Sequence, residues 1–288
     1  MSAIAYVTDS KMLELHRLNN NKTMNFWRTS SKINFTDFGT GDLVFFLSKD
    51  KEHKNKNEKG IVGFGRVTDI TVASVKTMWK KYGTLNGYQS LEEFKEAIIK
   101  VSKDKKVPDK ISGLYLENVV FFQPVYLSEC GMKISTNVES YTYLKDEQVV
   151  KQLLELAKNS NDIWSALNNN VQDIEKEEVI YALYSAHNVI GDVVVSDKVY
   201  KKGNRILKQY LKEHDEYQFV QNSRNEVYKE EDKVINMVFY YDKNIDQRLL
   251  IGQAFLYRNY IKEFCNLDVI TEVRFINQNK QLSEYLEY

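Results

Sequence analysis

Short apolar runs separated by polar segments make up the first half of the chain. The runs AIAYVT, GDLVFFLS, GIVGFGRV and NVVFFQPVY are rich in Val, Ile and Phe. Such runs are typical of buried strands. Ser90 and Glu93 form a capping box at the start of LEEFKEAIIKVSK, which predicts a helix. The pattern therefore predicts a small β-barrel with one or two helices.

A charged segment, KDKEHKNKNEK, separates two of these runs. It has too little apolar content to order itself, so it is predicted to be a surface loop. Its lysines would either contact phosphates or form a solvated hairpin tip. Gly63 and Gly65 in the following run would permit a bulge or a close approach between backbones.

The hydrophobic period changes near Asp146, where EQVVKQLLELAKN and then EKEEVIYALYSA show helical spacing. From Lys198 onward the predicted order is α-β-β-β-α-β, and it includes the strong strand VINMVFYY and a long helix from Ile245 to Phe264. A terminal helix follows. These features predict an α+β protein with two domains, residues 1–145 and 146–288.

The formal net charge of zero conceals an asymmetry. Residues 1–145 hold 22 Lys and Arg against 16 Asp and Glu, a balance of +6, so residues 146–288 hold 18 against 24, or −6. This asymmetry favours contact between a polyanion and the first half alone. The acidic half would then be a docking surface for a separate effector subunit. A homodimer is the alternative assembly.

The cysteine and histidine content excludes several classes of protein. Two distant cysteines and four scattered histidines give neither a disulfide framework nor a zinc spacing, and they suit the reducing cytoplasm. No apolar stretch reaches 18 residues, and MSAIAYVTDSK lacks the pattern of a secretory signal. A cytoplasmic protein without a membrane span is therefore expected.

The segments FWRTS, GDLVFFLS, GIVGFGRV and MWKKYG together resemble the EVE and YTH branch of the PUA-like superfamily, over residues 1–135. Members of this branch hold one modified base in an aromatic pocket. YTH domains bind methylated adenine in RNA, and EVE modules bind 5-methylcytosine or hydroxymethylcytosine flipped out of DNA. The resemblance implies a modified-base DNA reader in restriction or phage defence. An RNA-binding reader is the alternative.

The same resemblance implies roles for particular residues. Aromatic rings would stack on the flipped base, polar strand ends would bind its edge, and basic side chains would hold phosphates. A tryptophan is nevertheless more often a core residue than a pocket wall. The candidate base-binding residues are Trp27, Trp79, Tyr82, Ser48, Asp9 and Ser10, and the candidate phosphate-binding residues are Arg28, Lys80 and Lys81.

The second half resembles the PD-(D/E)xK nuclease core in its element order and in a Q-x-x-x-Y motif that begins at Gln253. In that superfamily two acids and a lysine meet at Mg²⁺. Asp232 and Asp242 would be the metal ligands, and Lys243 and Gln253 would complete the catalytic site. Asp242 and Lys243 are adjacent, however, so on a strand they would face opposite sides. A modification-dependent endonuclease that uses Mg²⁺ and a degenerate interaction module both remain open.

Overall fold

The structure is a computed structural model that describes residues 3–31, 35–53, 58–132, 138, 140–160, 170–191, 196–231, 234–242, 244–265 and 271–276, with the backbone alone at 49–53, 247 and 271–275. The chain forms two compact units, Met1–Glu175 and Lys176–Tyr288. Both combine a β-sheet with helices, which confirms the α+β class.

The first unit is built on a six-stranded mixed sheet of order β2-β5-β4-β3-β1-β6. β1 and β3 run parallel, and the other neighbours are antiparallel. The strands are β1 (Ala3–Thr8), β2 (Met24–Arg28), β3 (Leu43–His53), β4 (Glu58–Ala73), β5 (Ile111–Val125) and β6 (Tyr141–Leu144).

This sheet curls strongly on itself. The rings of Tyr6 on β1 and Phe26 on β2 lie 4.9 Å apart, although three strands separate β1 from β2 in the sheet. Phe26 also stacks on Phe46 of β3 at 6.1 Å. The side chains of distant strands therefore meet inside the curl and form a continuous apolar core.

Gly63 lies where β4 bends against β5. The two strands change register between Ile61 and Gly63, and a Cβ atom on Gly63 would lie 2.5 Å from the backbone oxygen of Val120. Only glycine permits this approach. The predicted structural role of Gly63 is confirmed.

Among the described residues, four helices lie wholly within the first unit. They are α1 (Ser10–Leu18), α2 (Val75–Tyr82), α3 (Leu91–Val101) and α4 (Glu147–Asn159), with short 3-10 turns at Gly83–Asn86 and Leu127–Cys130. α4 begins where the composition changes at Asp146, and it packs against β5 and β6. The two compact units divide later, between Glu175 and Lys176.

Helix α1 was not predicted from the sequence. Its segment SKMLELHRL buries only Met12, Leu13 and His16, and the remaining positions are polar or partly exposed. Asp9 caps the helix, because its side chain accepts a hydrogen bond from the Lys11 backbone N–H at 2.8 Å. The available signal was the aspartate followed by the apolar pair Met12 and Leu13.

The prediction of a surface loop at KDKEHKNKNEK was wrong for most of that segment. β3 continues to His53 and β4 begins at Glu58, with Glu52 opposite Lys59 and His53 opposite Glu58. Ladder hydrogen bonds between the two backbones hold this ribbon, so it needs no apolar side chains of its own. Residues 54–57 lie outside the described residues.

The second unit follows the predicted order α-β-β-β-α-β from Asp197 onward. Its sheet has the order β10-β9-β8-β7, in which β10 runs parallel to β9. The predicted terminal helix lies outside the described residues. The elements are α5 (Asn170–Ile190, which begins in the first unit), α6 (Asp197–Glu213), β7 (Gln218–Phe219), β8 (Glu226–Glu231), β9 (Val234–Tyr240), α7 (Gln247–Cys265) and β10 (Thr271–Ile276).

None of the helices that the structure describes has both the length and the apolar character that a bilayer-spanning segment needs.

Candidate nucleic-acid interface

Three of the predicted base-binding residues meet where the parallel strands β1 and β3 end. Thr8 pairs with Ser48 in the ladder, and α1 starts directly after β1. The Ser10 hydroxyl therefore lies 3.4 Å from the Ser48 hydroxyl. Asp9 is exposed beside them. The strand ends thus form a small polar cluster of two hydroxyls and a carboxylate.

Tyr88 joins this polar cluster to an aromatic group. Its hydroxyl donates a hydrogen bond to the Asp9 carboxylate at 3.2 Å. Burial, followed by the nearby negative charge of Asp9, raises the pKa of Tyr88, so the hydroxyl remains protonated as a donor. The Tyr88 ring lies 6.2 Å from the ring of Trp27. Sequence reasoning missed Tyr88, whose only signal was its aromatic side chain beside Gly87.

Trp27 and Trp79 contact the same buried ring. Their centroids lie 5.4 Å and 5.9 Å from that of Phe94, at interplanar angles of 77° and 34°. Both tryptophans are half-buried at the margin of the core. The structure therefore brings Trp27 and Trp79 together through Phe94, and each leaves part of its surface exposed to solvent.

Trp27 and Arg28 are neighbours on β2, which is an edge strand of the sheet. Consecutive residues of a strand point to opposite faces, so these two side chains extend to either side of the edge. The indole Nε1 of Trp27 and the Nη1 of Arg28 are both buried, and neither has a hydrogen-bond partner among the described residues. Two adjacent donors without acceptors are unusual in a folded protein.

Aromatic rings surround the Arg28 guanidinium. It lies 4.4 Å from the Phe35 ring and 5.6 Å from the Tyr6 ring, and its Nε donates a hydrogen bond to the Tyr6 hydroxyl at 3.1 Å. Tyr141 stacks on Tyr6 at 5.6 Å and contacts Phe35 at 5.2 Å. No described carboxylate pairs with Arg28. We call Tyr6, Arg28, Phe35 and Tyr141 the arginine box.

Sequence reasoning identified Arg28 but missed the three rings of the arginine box. Tyr6 and Tyr141 face each other across the antiparallel β1–β6 ladder. The YTY spacing of β6 places Tyr141 and Tyr143 on one face of that strand, which was the available signal.

The remaining candidates of the first unit lie around α2. Lys81 donates hydrogen bonds to Asp69 and Thr71 at 2.9 Å, and its ammonium lies 4.8 Å from the Tyr82 ring. Contacts with Tyr82 and Asp69 raise the pKa of Lys81. Tyr82 is buried and stacks on Tyr115 at 5.4 Å. Lys80 is exposed. Lys81 and Tyr82 thus belong to one network. This network is separate from the contacts that Trp27 makes.

In the second unit, four donors surround the carboxylate of Asp242. Lys202 and the Tyr240 hydroxyl bond to Oδ2 at 3.2 Å and 2.9 Å, and the backbone and side-chain nitrogens of Asn244 bond to Oδ1 at 3.1 Å and 2.8 Å. The hydrogen bond from the Asn244 backbone is the main cause that lowers the pKa of Asp242. Asp232 and Lys243, the predicted partners of Asp242, lie outside the described residues.

Gln253 belongs to a different network, centred on the buried carboxylate of Glu226. Its side-chain nitrogen donates to Glu226 Oε1 at 2.9 Å and to the Gly191 carbonyl at 3.0 Å. The Ser223 hydroxyl donates to Glu226 Oε2. His187 Nδ1 lies 3.4 Å from that same oxygen and 2.9 Å from the Tyr257 hydroxyl. Both residues of the Q-x-x-x-Y motif therefore point into this network.

The described residues do not fit a magnesium ion at Asp242. Its two oxygens already accept hydrogen bonds from the four donors, which occupy the directions from which a cation would be bound. Across the described part of the chain, no group of three or more His, Cys, Asp or Glu side chains is placed to hold a metal ion. The geometry at Asp242 therefore supports no catalytic step through Mg²⁺, and the endonuclease stays a prediction.

Comparisons with known proteins found limited similarity. No family model matches the chain, and no curated protein matches it. The similar solved structures include the ASCH protein of Zymomonas mobilis, at 15% identity and a TM-score of 0.38, with 54% of this chain and 94% of that chain covered. Two point mutants of that protein, each at 13% identity over 54% of this chain, have TM-scores of 0.38 and 0.39 and are covered over 97% and 95% of their own lengths.

These structural neighbours are ASCH proteins, and at TM-scores of only 0.38 and 0.39 the likeness carries no argument about the family, the function or the individual residues of this chain. The resemblance to the EVE and YTH branch of the PUA-like superfamily stays a prediction.

Proposed function

We propose that the first unit binds nucleic acid at the edge of β2 and reads one modified base, unstacked from its strand, against Trp27. The protein would serve as a DNA reader in restriction or phage defence. The observation that carries this proposal is the pair of adjacent donors, Trp27 Nε1 and Arg28 Nη1, that are buried without acceptors among the described residues.

Nucleic acid supplies what these two donors lack. Base edges present oxygen and nitrogen acceptors, and phosphates present anionic oxygens that match the planar fork of a guanidinium. Because Trp27 and Arg28 extend to opposite faces of the same edge strand, one nucleotide could place its base on the first and a phosphate on the second.

The energetic requirement is modest. Unstacking a base costs a few kcal/mol, and stacking on an aromatic ring returns about 1–3 kcal/mol per base. The half-buried indole of Trp27 offers such a ring. Tyr88 connects this ring to the polar cluster of Asp9, Ser10 and Ser48, because the Tyr88 ring lies beside Trp27 and its hydroxyl bonds to Asp9. Hydrogen bonds from the indole and the polar cluster would distinguish one base from another.

Binding assays on the full chain test this proposal. We expect Trp27→Ala to weaken binding of the preferred modified oligonucleotide about 10- to 100-fold, because it loses the stacking energy of one base. Trp27→Phe keeps a ring but lacks the indole donor, so it should bind with lower discrimination between modified and plain oligonucleotides. Arg28→Gln should weaken all oligonucleotides alike, since phosphate contacts do not read sequence.

The measurement is fluorescence anisotropy with DNA and RNA oligonucleotides that carry cytosine, 5-methylcytosine, 5-hydroxymethylcytosine, adenine or N6-methyladenine at one position. Tyr115→Ala removes a half-buried ring elsewhere in the unit and serves as the control. Circular dichroism verifies that each variant is folded. If the wild-type protein binds none of these oligonucleotides at low salt, the proposal is wrong.

A further inference from the structure

One exposed face of α6 carries a row of basic side chains, Lys201, Arg205, Lys208 and Lys212, which we call the basic row. Their spacing of four, three and four residues places them on the same face of the helix. At about 1.5 Å per residue the row is about 16 Å long. Lys201 pairs with Asp197 at 3.1 Å. In the part of the chain that the structure describes, no carboxylate pairs with the other three.

The basic row is a local feature that the overall charge conceals. Residues 146–288 hold 18 Lys and Arg against 24 Asp and Glu, a balance of −6. Electrostatic attraction to a polyanion depends on the charges within about one Debye length, roughly 8–10 Å at ordinary ionic strength. A row of four cations therefore attracts phosphates even within an acidic half of the chain.

An open cleft of about 600 Å³ adjoins the basic row, between α6 and the loop that joins β7 to β8. Two cations line it, and none of the described residues that line it is acidic. One aromatic ring and three side-chain amides also line it, together with a valine and a serine. The residues that matter here are Lys208, Arg224, Phe219, Asn204, Gln221 and Asn222.

The loop on one side of the cleft is held in place by its own hydrogen bonds. The Ser223 hydroxyl accepts from the backbone N–H groups of Asn225 and Glu226, both at 3.1 Å. Asn222 adopts φ of 65° and donates to the Tyr184 hydroxyl at 3.0 Å. The Arg224 guanidinium lies 5.7 Å from the Tyr200 ring. The loop backbone that carries Arg224 is therefore ordered before binding, so less ordering is needed when a ligand binds.

We infer that the basic row and this cleft form a second nucleic-acid site, in the second unit, that takes single-stranded DNA or RNA. The row binds successive phosphates along α6, and Lys208 belongs to both surfaces, so the strand continues from the row into the cleft. Phe219 stacks on a base there, and the amides of Asn204, Gln221 and Asn222 bond to base edges. This site is independent of the proposed role of Trp27.

A single strand fits this combination better than a duplex does. Its bases are accessible to a stacking ring and to amide donors and acceptors, whereas the base faces of a duplex are covered by their neighbours. Phosphates alone would be bound equally well in either form. Phe219 and the amides therefore set the preference, and the basic row supplies the salt-dependent part of the affinity.

The test compares two charge-reversal variants of the full chain, each changing the net charge equally. Arg205→Glu/Lys208→Glu alters the basic row. Lys176→Glu/Lys262→Glu alters two exposed lysines elsewhere in the second unit and is the matched control. Anisotropy of a labelled oligothymidylate of about 20 nucleotides, and of a duplex of the same length, is measured over a series of salt concentrations.

We expect the basic-row variant to bind the single strand at least about tenfold more weakly, and the slope of log K against log salt to fall by about 1.4, for two lost phosphate contacts. The control variant should keep the wild-type slope. Phe219→Ala should weaken the single strand and leave the duplex unchanged. The same differences should appear in the Trp27→Ala background, which separates this site from the one on β2.

Three results would overturn the inference. The first is an equal loss of single-strand affinity in the basic-row and control variants. This result would mean that net charge alone causes the loss. The second is equally tight binding of the duplex and the single strand, together with no effect of Phe219→Ala on either. This result would show that the cleft takes no part in binding. The third is no detectable binding of the oligothymidylate by the wild-type chain at low salt.

Discussion

Gly63→Ala is expected to lower the free energy of unfolding by about 2–3 kcal/mol. The added Cβ would lie 2.5 Å from the backbone oxygen of Val120 and 3.0 Å from the ring of Phe46. A backbone oxygen in a strand ladder cannot move aside without breaking its own hydrogen bonds, so the clash must distort β4 or β5. Urea unfolding followed by tryptophan fluorescence measures the change.

Gly39→Ala is the matched control for Gly63→Ala. No atom lies within 4 Å of a Cβ built on Gly39, and its φ is not in the left-handed region. Alanine there should be neutral, or stabilise the unit by up to about 1 kcal/mol, because it restricts the unfolded chain. Equal stability of the two variants would contradict the account of the β4 bend.

Glu226→Ala is expected to destabilise the second unit by about 3 kcal/mol or more. The carboxylate accepts hydrogen bonds from Gln253 and Ser223 and lies beside His187, and all of these groups are buried. Removing it takes an acceptor away from the buried Ser223 hydroxyl and Gln253 amide and leaves a cavity beside His187. Glu231→Ala on the same strand removes only an exposed ion pair with Lys229, so its effect should be below about 1 kcal/mol.

A second variant at this position, Glu226→Gln, tests the endonuclease that the second half resembles. The predicted endonuclease should cut methylated and hydroxymethylated plasmids with Mg²⁺ or Mn²⁺. A degenerate interaction module, which the protein donors on the oxygens of Asp242 and Glu226 favour, should leave these plasmids intact. Thermal unfolding reports stability and gel electrophoresis reports cleavage. Cutting by the wild-type protein that disappears in Glu226→Gln, with stability retained, would assign a catalytic role to Glu226.

The strands of the first unit could be predicted because their signals are local. β-branched and aromatic runs, and the glycines at the β4 bend, show themselves within a few residues. Helix α1 could not be found in the same way. Its three buried side chains form a narrow stripe, and Asp9 reads equally as a helix cap or as a polar strand end.

The candidate site could be predicted only in part, since its residues come together through pairing between distant strands. Nothing near Arg28 in the sequence indicates that Tyr6, Phe35 and Tyr141 will surround it, because that depends on how β1 pairs with β6 and how the sheet curls. Likewise the spacing of Gln253 and Tyr257 predicts that they share one helix face. It does not indicate that this face contacts Glu226 and His187, as the structure shows.

The central claim is that the indole donor of Trp27, which has no acceptor among the described residues, binds nucleic acid. Indole N–H NMR tests this claim most directly. The chain has three tryptophans, so ¹⁵N-labelled protein gives three indole signals, assigned with tryptophan-to-phenylalanine variants. On addition of a modified single-stranded oligonucleotide, we expect the Trp27 Nε1–H signal to move downfield as it gains an acceptor. If that signal stays unchanged while the oligonucleotide is bound, Trp27 does not read the base and the proposal is contradicted.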